Sequence, residues 1–74
     1  MVVGSKMIKN RVEKIRESLL MSKAELARKA GISPLTVDRI EKGSACRLAT
    51  KRKIILALGM KLEDRAKVFP EDGK

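Results

Sequence analysis

Two helix starts and two helix stops fall between Met21 and Gly43, and their spacing leaves room only for short helices joined by a tight turn. Ser22-Lys23-Ala24-Glu25 is a capping box. A serine hydroxyl and a glutamate carboxylate three residues apart satisfy the orphan amides of a helix start, and Met21 and Leu26 form the apolar staple around it. Gly31 follows Ala30 and suits a left-handed stop. Ile32-Ser33-Pro34 then opens another helix, with Ser33 as N-cap, Pro34 in the first turn, and Ile32 and Val37 as a second staple. That helix continues through Lys42 and stops at Gly43. Two helices of about eight to ten residues, joined by a turn of three or four, make a helix-turn-helix.

The second of these helices buries Val37 and Ile40. A rotation of roughly 100° per residue then puts Leu35, Asp38, Arg39 and Lys42 on the opposite face, which carries no packing pattern. Upstream, Ile8, Val12, Ile15 and Leu19 recur on one helical stripe, so a first helix is predicted from about Lys6 to Leu20, with Lys9, Lys14 and Arg16 off the stripe. Downstream, Ser44 to Ala49 reads as a loop. A fourth helix is expected from about Thr50 to Leu58, ending at Gly59, and a shorter turn of helix around Leu62 to Lys67. The expected organisation is a flexible arm over residues 1–5, one all-α domain over residues 6–69 and a frayed acidic tail over residues 70–74.

Composition narrows the partner. The chain has 74 residues, room for one small core, and 18 Lys and Arg against nine Asp and Glu, a formal net charge of +9. Such an excess favours a polyanion. Histidine is absent and there is one cysteine, so His general bases, zinc sites and an intramolecular disulfide are excluded. No set of acid, base and nucleophile can be assembled, and neither an enzyme, a metal nor a cofactor is expected. The single aromatic residue, Phe69, leaves no row of stacking platforms for unpaired bases, which points to double-stranded DNA. The longest apolar run, Ile54 to Met60, falls far short of the roughly 20 residues of a membrane span. The first residues carry no export signal. A cytoplasmic location, in the bacterial nucleoid, is therefore expected. Cys46 reads as an incidental loop residue before a redox switch, and Met7, Met21 and Met60 fall at core or staple positions.

From about Arg16 to Leu62 the sequence resembles the lambda repressor and Cro type of helix-turn-helix protein, the Xre family. The resemblance rests on the string from Met21 to Gly43 followed by Ala57-Leu58-Gly59. The family pattern wants a small residue at Ala27, glycine at Gly31 and aliphatics at Val37 and Ile40. Ala27 lets two helices cross closely, Gly31 takes the positive φ of the turn, and Val37 and Ile40 hold the recognition helix to the core. The fold implied is a compact four- to five-helix lambda-repressor-like DNA-binding domain. The resemblance further implies that the helix from Pro34 enters the major groove, with Pro34, Leu35, Asp38 and Arg39 at base-reading positions. Arg39 suits guanine O6 and N7, and Leu35 a thymine methyl; Asp38 either accepts from cytosine N4 or orients Arg39.

By the same resemblance Ser22, Lys23, Thr36, Lys42, Ser44 and Arg47 are phosphate candidates. Lys23 departs from the family, which usually has glutamine there. Arg16 and Glu41 occupy positions that in the family often form an ion pair between the first and recognition helices. Lys51, Arg52 and Lys53 fall in the expected first turn of the fourth helix, where the dipole disfavours cations. Anionic phosphates would reverse that sign, so Lys51 and Arg52 join the phosphate set. One recognition helix reads too few base pairs for useful selectivity, so a homodimer spanning two half-sites is expected. Leu62, Val68 and Phe69 either form its pairing surface or seal the core. The function implied is a sequence-specific transcriptional regulator, a repressor. The alternative is an antitoxin-like module that binds an unknown protein partner and contacts DNA to regulate itself. A basic peptide lying on a membrane ranks below both, because the capped helices are built to fold together in water.

Overall fold

A computed structural model describes residues 10–70. The arm at residues 1–5, the helix start expected at Lys6, Ile8 on the apolar stripe, Met7, and residues 71–74 of the tail lie outside the described residues. Among the described residues five α-helices follow one another: α1 (Val12–Ser18), α2 (Lys23–Ala30), α3 (Pro34–Glu41), α4 (Leu48–Ala57) and, after a 3-10 turn at Leu62–Asp64, α5 (Arg65–Val68). Among the described residues there is no strand, and the architecture is the all-α one expected.

The helix ends share one mechanism. In a Schellman stop the residue just past the helix takes the left-handed conformation, and its amide and the next one reach back to the last turn's carbonyls. Gly31 (φ 73°) does this for α2, with Ile32 N–H donating to the Ala27 carbonyl at 2.9 Å. Gly43 ends α3 and Gly59 ends α4 in the same way, through Ser44 N–H to the Arg39 carbonyl and Met60 N–H to the Ile55 carbonyl. The stop of α1 has the same bonds, from Leu20 N–H to the Glu17 carbonyl and Met21 N–H to the Arg16 carbonyl, but a leucine, Leu20, holds φ 56°. The chain reverses there, which leaves Leu19 about half exposed and Leu20 92% exposed while Met21 enters the core. Leu19 therefore leaves the apolar stripe that was expected to carry it inward.

The starts vary more. Ser22 Oγ accepts from Glu25 N–H at 3.0 Å and Ser33 Oγ from Thr36 N–H at 3.1 Å. The Glu25 carboxylate is turned toward Lys29, 3.8 Å away, so only the serine half of the expected capping box forms. The α1 start lies later than the stripe suggested: Asn10 and Arg11 are not helical, and Asn10 Oδ1 accepts from Val12 N–H at 3.1 Å. Helix α4 starts earlier, at Leu48, and Arg47 stands at its N-cap in extended geometry with no capping side chain to mark the start. Lys51, Arg52 and Lys53 thus follow the first turn, where the dipole has largely faded, and the expected conflict between charge and dipole is removed.

The core is a single cluster of Val12, Met21, Leu26, Ala27, Ala30, Val37, Ile40, Ile54, Ile55, Leu58, Val68 and Phe69. Val68 is fully buried and Phe69 nearly so, which assigns both to sealing the core. Of the three residues considered for a pairing surface, Leu62 alone is exposed.

The left-handed region costs a leucine about 1–2 kcal/mol, whereas glycine occupies it without that penalty. Leu20→Gly sacrifices almost no burial and should raise stability by about 0.5–1 kcal/mol after glycine's greater unfolded-state entropy is counted. Thermal unfolding followed by circular dichroism checks this; a lowered midpoint would show that Leu20 is held by something other than helix-stop geometry.

Candidate nucleic-acid interface

Helix α3 is fixed from beneath and at both ends. Ser33 and Pro34 set its start, and Val37 and Ile40 bury its inner face. At its far end the Ile40 carbonyl accepts from Asn10 Nδ2 at 2.7 Å and from Gly43 N–H at 2.9 Å. Next to it Arg16 grips Glu41 with two donors, Nε to Oε2 at 2.7 Å and Nη2 to Oε1 at 3.3 Å, and its Nη1 donates to the Met21 carbonyl at 2.8 Å. Both side chains are buried, with exposures of 9% and 3%. The hydrogen bond to Glu41 outweighs burial and raises the Arg16 pKa above its ordinary value.

The outer face presents Pro34, Leu35, Arg39 and Lys42 to solvent, with Asp38 half-buried among them. Asp38 is tied to two lysines: Oδ1 lies 2.5 Å from Lys23 Nζ at the start of α2, and Oδ2 lies 3.0 Å from Lys42 Nζ one turn along α3. Lys23 Nζ also lies 3.9 Å from Glu41 Oε1. Lys42, Asp38, Lys23, Glu41 and Arg16 therefore form a row of alternating charges from solvent to core. The hydrogen bond from Lys23, then that from Lys42, pulls the Asp38 carboxyl below its ordinary pKa of 3.8. The bond to Asp38 raises the Lys23 ammonium in turn.

Beside this face a concave cleft of about 860 Å³ opens between α3 and the loop leading to α4, lined by Thr36, Arg39, Ile40, Ser44, Ala45, Cys46, Arg47 and Thr50. It brings three of the phosphate candidates, Thr36, Ser44 and Arg47, together with Arg39. Ser22 Oγ caps α2, and Lys51 and Arg52 line a different groove, where Lys51 Nζ sits 5.3 Å from the centre of the Phe69 ring. Two residues here escaped sequence reasoning. Thr50 was read as a helix start and not as part of the cleft. Asn10 is a residue type favoured at helix caps, a signal hidden because the apolar stripe ran through it.

Two measurements follow from these contacts. Glu41→Ala leaves Arg16 buried without its carboxylate and should destabilise the fold by about 2–3 kcal/mol while weakening DNA binding; an unchanged midpoint by circular dichroism would refute the role. A depressed carboxyl pKa means that the Asp38 pairing stabilises the fold above the ordinary value and that this contribution is lost as pH falls through the lowered one. In Lys23→Met the Asp38 carboxyl, followed by NMR, should titrate closer to 3.8 than in the parent chain.

A helix-turn-helix family model matches residues 12–65, from the first residue of α1 to the first of α5. Neither the curated proteins nor the solved structures searched contain a match. No helix among the described residues is long and apolar enough to cross a membrane. With the family match covering most of the chain, and with α2, α3 and the glycine turn arranged as above, the chain belongs to the Xre and lambda repressor type of helix-turn-helix proteins and is a regulator that binds double-stranded DNA.

Proposed function

We propose that this chain is a cytoplasmic repressor that occupies a two-fold-symmetric operator as a homodimer, each copy reading one half-site with α3. The observation that carries this reading is Arg39: it is exposed on a helix whose buried face and C-terminal end are both anchored, so its guanidinium is offered from a fixed platform. A planar fork of donors in that setting suits guanine O6 and N7, and the exposed Leu35 suits a thymine methyl. Asp38 keeps carboxylate lone pairs beyond those its lysines use and accepts from cytosine N4. Pro34 contributes only apolar contact to the first base.

The phosphate set comprises Ser22, Lys23, Thr36, Lys42, Ser44 and Arg47, with Lys51 and Arg52, past the first turn of α4, included on their charge alone. The Ser22 hydroxyl accepts a backbone amide and still has a proton to donate. Lys23 gives one N–H to Asp38 and retains two for phosphate oxygens. Half-sites about 34 Å apart place two such helices in successive major grooves on one side of the duplex.

Selection from a randomised duplex library, followed by titration of the enriched site and of scrambled DNA at two salt concentrations, tests the reading. A two-fold-symmetric site should emerge, and both affinities should fall with salt as counterions are released. Arg39→Ala should weaken the enriched site by about 10–100-fold, the 1–3 kcal/mol of one bidentate base contact, and change scrambled DNA far less. Equal affinity of the parent chain for every duplex would overturn the proposal.

A further inference from the structure

On the other side of α4 from the cleft, Leu48, Lys51, Arg52, Ile55, Leu62 and Arg65 line a groove of about 170 Å³. Its floor is Ile55, 3% exposed, and its walls are leucines left 69% and 43% exposed at positions 48 and 62. All three charged residues around it are cations. The neighbouring acids of the same segment are turned elsewhere, with Asp64 3.4 Å from Lys67 and Glu63 4.0 Å from Lys61. At this volume the groove is smaller than the roughly 300 Å³ at which small-molecule sites begin, and it suits the anchoring side chain of a larger partner.

Charge decides among occupants. A second copy packed groove to groove across a two-fold axis would set Lys51, Arg52 and Arg65 against their own images, where like charges repel. A DNA phosphate matches the cations but leaves Leu48 and Leu62 bare. We propose that the groove is a docking site for an acidic segment of a partner protein, entering with a bulky apolar side chain over Ile55 and its carboxylates on Arg52 and Arg65. Helical segments with one apolar and one charged face bind in this mode. Lys51 and Arg52 also belong to the phosphate set above. On that reading the partner and the operator compete, and the chain is released from DNA by a protein.

The probe is a synthetic helical peptide with glutamates on one face and leucine and phenylalanine on the other, compared with a control of equal charge in which alanine replaces the apolar residues. Methyl NMR titration of the full chain should shift Leu48, Ile55 and Leu62, and the alanine control should bind about tenfold more weakly. Leu48→Ser with Leu62→Ser alters two exposed side chains outside the DNA-contacting set. It should lower peptide affinity by about tenfold, the effect of losing 1.4 kcal/mol of apolar contact, with duplex affinity unchanged. Equal binding of the control, shifts confined to other surfaces, or self-association of the chain that the serine variants abolish would each overturn the proposal. Peptide bound in the groove without displacing duplex would uphold the docking site and refute the phosphate role of Lys51 and Arg52.

Discussion

The orientation of α3 depends on one buried guanidinium. Arg16 joins three parts of the chain: its own helix, the Met21 carbonyl five residues on where α1 turns into α2, and Glu41, 25 residues away at the end of α3. Burying two opposite charges is unfavourable unless their hydrogen-bonding capacity is met, and here each guanidinium nitrogen has a partner. An eight-residue helix does not persist alone in water, so α3 owes its existence and its tilt to such tertiary contacts. Asn10 adds a neutral bond to the preceding carbonyl, so two adjacent residues at the end of α3 are held from the α1 side.

That anchoring extends outward as a row of charges. Glu41 also faces Lys23, Lys23 faces Asp38, and Asp38 faces Lys42. In the resembling family the position of Lys23 usually carries glutamine, a neutral amide able to serve phosphate and helix together. The lysine there meets Asp38 on the outer face of α3. The lysine in α2 and the carboxylate at a proposed base-reading position are thus one feature, each offsetting the other's charge. Arg39, one residue further on, is exposed on that face and, on the proposed reading, is the residue that meets a base.

Sequence reasoning was most informative where backbone geometry demands a particular residue. Gly31, Gly43 and Gly59 mark left-handed stops because glycine alone enters that region without strain, and Ser22 and Ser33 mark starts because a short side-chain oxygen reaches the second and third amides. The same logic fails where the chain forms these structures without the usual residue. Leu20 ends α1 in glycine's conformation, and the apolar period, which carries no stop signal, ran on through Leu19. Arg47 begins α4 with no side-chain cap, so the helix start was placed two residues late and the basic cluster fell within the first turn instead of just past it. Val68 and Phe69 looked peripheral from their place near the end of the chain, but Arg11 N–H donates to the Val68 carbonyl at 2.8 Å and draws that end against α1. The Arg16–Glu41 pair, 25 residues apart, was legible only through the family resemblance, and the Lys23–Asp38 pair, 15 residues apart, was not legible at all, because partners so far apart leave no local pattern.

The division of labour between attraction and discrimination follows from where the charges are spent. A net charge of +9 draws the chain to any duplex, a term that salt screens and that carries no sequence information. On the face of α3 much of that positive charge is already answered: Asp38 compensates Lys23 and Lys42, and Glu41 compensates Arg16. The local field over that face is therefore weaker than the total suggests. On the proposed reading, binding there depends on directed hydrogen bonds and shape, while Arg47 and the basic residues of α4 supply attraction that does not depend on sequence. A recognition surface poor in unanswered charge discriminates better than a strongly positive one, because a wrong base offers it little electrostatic compensation for a missing contact.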